Sequence, residues 1–192
     1  RPDPKVAAKG AARPYDVRNR AEGRDEVKGH PHSFLRVEKA EIDLPDAVDD
    51  HAPEVYRKAA ENLERLVRDR VLVQDAAPCL YLYQQVMDGR TQTGIVACAS
   101  TDEYDRGIVK KHELTRADKE DDRVNNVTHC DANTGPVFLA YRQDAEVKAT
   151  VASWKKAHAP VYDFTSPDQV RHTVWAVDDR PAIDALVKRF AG

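Results

Sequence analysis

The stretch of sequence that decides the fold class reads CLYLYQQVMDGRTQTGIVACA, residues 79–99. Residues 80–86 and 93–99 are both rich in β-branched and aromatic side chains, which favour strands. Between them lies Asp88-Gly89, a dipeptide typical of the two-residue turn of a β-hairpin. We therefore predict an antiparallel hairpin over the whole stretch.

Helical and strand patterns surround this hairpin on both sides. Residues 53–70 form the clearest helical pattern, with charged side chains on one face and apolar side chains on the other. The apolar side chains that recur at helical spacing are Val55, Ala59, Leu63, Leu66 and Val67. Further helices are predicted over residues 3–9, 20–28, 146–156 and 181–190, and further strands over residues 34–37, 71–73, 137–141 and 172–177. Strands that meet in hairpins, with helices inserted between them, predict an α+β fold with a mixed, largely antiparallel sheet and flanking helices.

Composition excludes several classes of protein. The chain has 192 residues, enough for one domain or for two small ones that share a core. Its net charge of -3 provides no global basic field, so we expect no direct binding to nucleic acid. No apolar run approaches the roughly 20 residues that cross a bilayer. The chain is therefore expected to be soluble and without a membrane anchor.

The three cysteines, Cys79, Cys98 and Cys130, are widely spaced and odd in number. Neither a disulfide framework nor a zinc site fits this spacing. They are expected to pack as small hydrophobic side chains. A reducing cytoplasm is the location that this cysteine usage predicts.

A charged segment, KKHELTRADKEDDR at residues 110–123, is the most unusual part of the sequence. Ten of its fourteen residues are charged, five of each sign. One interpretation is a solvated helix, capped by Thr115 and supported by a pair between Arg116 and Glu120 at i,i+4 spacing.

The other interpretation is a binding site. The charged segment follows a strand-like run at residues 107–109 and precedes a polar turn at residues 133–136. Arginine and lysine side chains that converge near strand ends are typical of sites for phosphate or carboxylate, since arginine offers bidentate donors to such oxygens. Carboxylates nearby would accept a proton from a hydroxyl group or hold a metal ion.

Six motifs resemble the bacterial domain-of-unknown-function 1015 family, and they occur in the family's order. They are PYDV (residues 14–17), HSFLRV (32–37), GRTQTG (89–94), HELTRADKEDDR (112–123), NTGPVFL (133–139) and YDF (162–164). The resemblance covers nearly the whole chain, and the charged box at residues 112–123 is long enough to be highly specific.

That family is distantly similar to free L-serine kinases, which have a ParB/sulfiredoxin-like α+β fold. The resemblance implies a small-molecule phosphotransferase that binds a nucleotide, ATP or ADP, together with Mg²⁺, and phosphorylates the hydroxyl group of free serine. It implies Glu113 as the base and His112 as a phosphate ligand or as the residue that orients Glu113. It implies that Arg116, Lys119 and Arg123 neutralise the negative charge of the phosphate or the substrate carboxylate. It also implies ligand contacts from Tyr15, Asp16, Asn133 and Thr134. The magnesium ion would be held with the help of Asp118, Asp121 and Asp122.

The chain also departs from the family's pattern. The family usually continues with an Asp-Gly-His-His-Arg box that contacts nucleotide phosphates in the kinases, and this chain contains no such box. Ala117 stands where the charged box usually has proline, and Arg13 stands where a second proline usually precedes Pro14. The chain is therefore expected to be the N-terminal part of a larger protein, truncated before the phosphate-binding region and inactive alone.

Two other functions remain open from the sequence. The chain would serve as a non-catalytic nucleotide- or ligand-binding module, or as a structural domain that completes a missing C-terminal part. Each candidate residue also has a plain structural interpretation: Glu113 as a surface carboxylate paired with Lys110 or Arg116, and Tyr15 as part of a rigid turn. Turn formation accounts equally for Asn133 and Thr134.

Overall fold

The structure is a computed structural model that describes residues 1–112 and 114–190. It forms two compact units. Unit 1 comprises Arg1–Gln74 and Glu113–Leu139, and unit 2 comprises Asp75–His112 and Ala140–Gly192. Whether both belong to one domain, as the length allows, stays a prediction.

The described residues contain eight α-helices and one four-stranded sheet. The helices are α1 (Ala7–Gly10), α2 (Arg20–Glu26), α3 (Leu35–Glu38), α4 (Pro53–Arg68), α5 (Thr101–Asp105), α6 (Ala117–Cys130), α7 (Ala145–Ala157) and α8 (Arg180–Phe190). The strands are β1 (Leu80–Met87), β2 (Arg90–Val96), β3 (Tyr162–Thr165) and β4 (Arg171–Val177). Across the part of the chain that is described, no helix is long and apolar enough to span a bilayer.

Unit 1 is helical and is built around α4, which packs against α3 and α6. Pro53 begins α4, where its missing N–H group costs no hydrogen bond. The apolar face of α4 enters two buried clusters, one with Val37 and Val71 and the other with Ala40. Cys130, at the end of α6, packs against both clusters, and this contact anchors α6 to the core.

A half-buried arginine, Arg20, organises the loop that precedes α4. The guanidinium group of Arg20 donates to the carbonyl oxygens of Glu41 at 3.0 Å and Val48 at 2.8 Å, and to the carboxylate of Asp50 at 3.0 Å. Several carbonyl groups that would otherwise lack partners are thereby satisfied by one side chain. These hydrogen bonds hold the loop before α4 in place, although the loop has no regular secondary structure.

Unit 2 contains the sheet, with strand order β2-β1-β4-β3 and antiparallel pairing throughout. The turn between β1 and β2 has positive φ at Asp88 (50°) and Gly89 (73°), as a tight hairpin turn requires. One face of the sheet buries Leu82, Trp175 and Val177 beneath side chains of α7 and α8. The predicted hairpin and the α+β class are confirmed, while the described sheet is purely antiparallel rather than mixed.

Three predicted strands are wrong. Residues 34–37 lie largely in α3, because Leu35 and Val37 pack into different clusters and the backbone closes helical hydrogen bonds. Residues 71–73 form only an isolated bridge between Leu72 and Pro2. Residues 137–141 pair with no described strand.

The remaining elements largely follow their sequence patterns. The helices predicted at residues 20–28, 53–70, 146–156 and 181–190 are α2, α4, α7 and α8, and the strand at residues 172–177 is β4. The sequence pattern did not predict the short strand β3. Its four residues pair with β4 in the described sheet, and this tertiary contact defines the strand. Among the cysteines, Cys98 is exposed, so the prediction that it packs is wrong.

Candidate functional site

The first turn of α6 presents three charged side chains of the box, Asp118, Lys119 and Glu120, as exposed surface. The N-cap is Arg116 rather than Thr115, and its side chain makes no capping bond. Arg116 donates instead to the carboxylate of Asp118, at 3.0 and 2.8 Å, so the predicted pairing with Glu120 is wrong. Both side chains are largely exposed, and ion pairs of this kind contribute little to stability.

One turn later, α6 directs Asp122 inward. The side chain of Asp122 is only 10% exposed. Its Oδ1 accepts a hydrogen bond from the Tyr56 hydroxyl at 3.0 Å and lies 3.2 Å from Nδ1 of His51. Its Oδ2 accepts from Nε and Nη2 of Arg123 at 3.1 and 2.7 Å. Asp122 is therefore an anchor whose two oxygens are both engaged.

The pKa values of these groups follow from this arrangement. Burial by itself raises the pKa of Asp122, but hydrogen bonds and charge from Arg123 outweigh it and hold the pKa below its usual value. Burial by itself lowers the pKa of Arg123, but the hydrogen bonds and charge of Asp122 outweigh it, so the pKa is raised above its usual value. Burial and the hydrogen bond to Asp122 raise the pKa of Tyr56 to about 12. At neutral pH the carboxylate and the guanidinium group are both charged, and the phenol is neutral.

The guanidinium group of Arg123 also contacts two residues from earlier in the chain. Its central carbon lies 4.2 Å from the ring centroid of Tyr15, which is a stacking geometry for a cation on an aromatic face. Its Nη1 lies 3.5 Å from Oε2 of Glu38, a long contact. The edge of the guanidinium group that carries Nη1 is therefore the one with spare donors.

Glu38 is chemically the most unusual residue in unit 1. Its side chain is 11% exposed, and its Oε1 is buried with no hydrogen-bond partner among the described residues. A buried carboxylate oxygen without a partner is costly, and native structures contain few of them. This oxygen is therefore the atom of unit 1 that would gain most from a hydrogen-bond donor.

The polar turn at residues 133–136 meets the same group of residues. The Thr134 hydroxyl donates to Oδ1 of Asn126 in α6 at 3.0 Å. A Cβ atom at Gly135 would lie 3.2 Å from Oε2 of Glu38, so glycine permits the close approach of the turn to this carboxylate. We call Tyr15, Glu38, Asp122, Arg123 and this turn the Arg123 cluster.

The Arg123 cluster gathers only some of the predicted site residues. It contains Tyr15, Asp122, Arg123 and Thr134, from three separate motifs. It does not engage the exposed side chains of Asp16, Lys119 and Asn133, and His112 is exposed in unit 2. Glu113 lies outside the described residues. The roles assigned to these residues stay predictions.

Sequence reasoning missed Glu38 as a site residue. Residues 34–37 were predicted as a strand, and no pattern marks the glutamate that follows them as buried. The only signal in the sequence is its position directly after the HSFLRV motif. Its significance depends on contacts with residues almost a hundred positions away.

Two of the predicted magnesium ligands, Asp118 and Asp122, are already paired with arginine side chains. Within the described ranges, no three His, Cys, Asp or Glu side chains converge on a metal position. Asp118 already pairs with Arg116, and Asp122 with Arg123. These residues do not fit a magnesium site built from protein alone. A magnesium ion carried mainly by nucleotide phosphates needs only one or two carboxylates, and that prediction stays open to test.

A second polar cluster lies in unit 2, on the sheet face opposite Leu82. The Tyr83 hydroxyl lies 2.7 Å from Nδ1 of His172, and the Ser166 hydroxyl lies 2.9 Å from Nε2 of His172. Ser166 also contacts the carboxylate of Asp168 and the carbonyl oxygen of Val170, both of which only accept. The arrangement favours a neutral imidazole that donates from Nε2 to Ser166 and accepts at Nδ1 from Tyr83.

This cluster predicts a pH dependence of stability. Burial lowers the pKa of His172, partly offset by the charge of Asp168. The unfolded chain then binds more protons than the folded one as the pH falls below about 6.5, so stability decreases in that range and is full above it. His172→Leu should make the free energy of unfolding less dependent on pH between 7.5 and 5.5, as measured by urea denaturation. The exposed control His30→Leu should leave the dependence unchanged; equal slopes for wild type and His172→Leu contradict the prediction.

Comparison with known proteins identifies the family of the chain. No curated protein and no solved structure matches the chain. The family model described as "Protein of unknown function (DUF1015)" matches residues 1–192. Because this match covers the full sequence, the chain belongs to the DUF1015 family.

Proposed function

We propose that the Arg123 cluster binds the anionic part of a ligand in a small-molecule phosphotransferase of ParB/sulfiredoxin-like fold. The donor is a magnesium-bound nucleotide, and the acceptor is the hydroxyl group of a free amino acid such as L-serine. One observation carries the proposal. Tyr15, the charged box and the turn at residues 133–136 are far apart in sequence, yet their side chains and backbone meet around Arg123 and Glu38.

The geometry of Arg123 suits the neutralisation of negative charge. Asp122 holds Nε and Nη2, and Tyr15 supports the plane of the guanidinium group, so its orientation is set before a ligand arrives. Within the described part of the chain, Nη1 is left with only the long contact to Glu38. A phosphate or carboxylate oxygen at that edge would receive a charge-assisted hydrogen bond from a preorganised donor. Glu38 lies beside it, so the same ligand must also bring a donor, such as an ammonium or hydroxyl group, to pair with the glutamate.

The remaining roles in the proposal come from the family resemblance. Glu113 accepts the proton of the serine hydroxyl as its oxygen attacks the terminal phosphorus of the nucleotide, and the shortened nucleotide leaves. His112 contacts phosphate or orients Glu113. Arg116 and Lys119 add positive charge at the start of α6, and Asp118 would assist a magnesium ion held mainly by the phosphates. Asp122, the other predicted ligand, has both oxygens engaged by Tyr56 and Arg123.

Phosphotransfer in the full-length protein tests this proposal. With ATP or ADP and a panel of free amino acids, we expect nucleotide turnover that depends on serine. Arg123→Met and Glu113→Gln should each lower it by about 100-fold, the scale seen when one preorganised group is removed. Arg57→Met, which removes an exposed arginine of α4, is the matched control and should keep the wild-type rate.

Two results contradict the phosphotransferase proposal. One is an absence of turnover with every acceptor from a folded protein. The other is wild-type turnover in Arg123→Met. Binding of nucleotide without turnover would identify the non-catalytic ligand-binding module instead.

The structural-domain alternative is favoured by one observation. Three large apolar side chains of unit 1 are almost fully exposed: Leu114 (92%), Val137 (80%) and Phe138 (81%). Val137 and Phe138 are neighbours in sequence, and adjacent exposed apolar side chains are typical of surfaces that pack against another part of a protein. A structural role predicts that the Arg123 cluster binds neither nucleotide nor amino acid.

A further inference from the structure

A groove of about 450 Å³ opens in unit 2 between strand β2 and helix α7. Thr93 and Ile95 line it from β2, and Val147, Val151 and Lys155 line it from α7. Its volume lies in the range of about 300–1,000 Å³ that is usual for small-molecule sites. No part of the proposed phosphotransfer chemistry uses this groove.

Lys155 is the distinctive residue of the groove. Its Nζ donates to Oε1 of Gln84 at 2.7 Å and to Oγ1 of Thr93 at 3.1 Å, and it lies 5.4 Å from the ring centroid of Trp175. All three partners are neutral, and no described carboxylate pairs with this half-buried ammonium group. A positive charge held by neutral acceptors at the wall of a groove is complementary to an anion.

The other charged residues of the groove also leave it complementary to an anion. Lys148 lies two helical turns before Lys155 on α7 and also lines the groove. Asp144 lines it too, but one of its oxygens caps α7 through the backbone N–H groups of residues 146 and 147, and the other accepts from Arg189. The charge left unpaired at the groove is therefore positive.

The rest of the lining is largely apolar. Ile95, Val147 and Val151 provide aliphatic surface, and Tyr141 adds an aromatic ring, which packs edge-on against Phe190 with centroids 5.0 Å apart. We propose that this groove binds a small monocarboxylate with an apolar body, its carboxylate paired with Lys155 and its hydrocarbon part against the aliphatic wall. The proposal is independent of the function of the Arg123 cluster.

Titration with octanoate, followed by the backbone amide shifts of β2 and α7, tests the site. We expect saturable shifts confined to these two elements, and much weaker shifts with octanol, which has the same chain without the charge. Lys155→Met should weaken octanoate binding by about tenfold, because the hydrocarbon contacts remain and the ion pair is lost. Lys156→Met, an exposed neighbour on the same helix, is the matched control and should bind as wild type does.

A second variant keeps the test independent of any effect of Lys155 on folding. Ala152 lines the groove and is exposed, so Ala152→Trp should fill the groove and abolish octanoate binding while Lys155 remains. Three outcomes overturn the proposal. The first is no saturable binding of octanoate up to about 10 mM, a concentration far above the dissociation constant of a specific small-molecule site. The others are equal binding of octanol and unchanged affinity for octanoate in Lys155→Met.

Discussion

Asp122→Asn should lower the free energy of unfolding by about 3 kcal/mol at neutral pH, the scale for breaking a buried charge pair. The carboxylate is 10% exposed and accepts from Tyr56 and from two nitrogens of Arg123. The amide keeps the shape but removes the negative charge, which leaves the guanidinium group with only the long contact to Glu38 as an ion pair among the described residues. Urea denaturation of the variant and the wild type measures the difference.

Asp121 provides the matched control for this change. It is the preceding residue of the same helix, with the same side chain, but it is exposed. Asp121→Asn should change the free energy of unfolding by less than about 0.5 kcal/mol, as is usual for surface substitutions. If both variants lose the same stability, the Asp122–Arg123 pair does not anchor α6 as described.

Leu82→Ala should cost about 3 kcal/mol of unfolding free energy, within the usual range for a fully buried leucine. Leu82 has no exposed surface and lies in β1, which is paired on both sides. It packs with Trp175 and Val177 beneath α7 and α8. The variant would lose these contacts and leave a cavity at the centre of unit 2. Thermal and urea unfolding measure the loss.

Met87 serves as the control in the same strand. It is 56% exposed at the end of β1, next to the hairpin turn. Met87→Ala should change stability by less than about 0.5 kcal/mol. A loss at position 87 that equals the loss at position 82 contradicts the assignment of the buried sheet face.

The Arg123 cluster and the groove at Lys155 illustrate two ways in which this fold holds positive charge. Arg123 is oriented by a fully engaged carboxylate, so a ligand would meet a rigid donor edge. Lys155 is held by neutral oxygens, so its charge is available to an anion. The two proposals therefore predict different responses: loss of turnover in Arg123→Met, and loss of octanoate binding in Lys155→Met.

The sequence by itself determined the elements whose signals are local. The hairpin follows from strand-forming residues around Asp88-Gly89, and its turn needs no distant contact. Helices α4, α7 and α8 follow from periodicity over three or more turns. The family was also evident, because the motifs of the chain lie in the family's order and the family model covers the full sequence.

The tertiary structure alone decided which charged residues are buried. Successive helical residues point about 100° apart, so whether Asp121 or Asp122 faces the core depends on where Tyr56 of α4 lies. Burial of Glu38 likewise depends on Arg123 and on the turn at Gly135. The short segment at residues 34–37 has β-forming residues but too few of them to outweigh packing on two sides, and it became helix α3. Local patterns specify local hydrogen bonds, whereas the position of a charge relative to distant partners is set only when the chain packs.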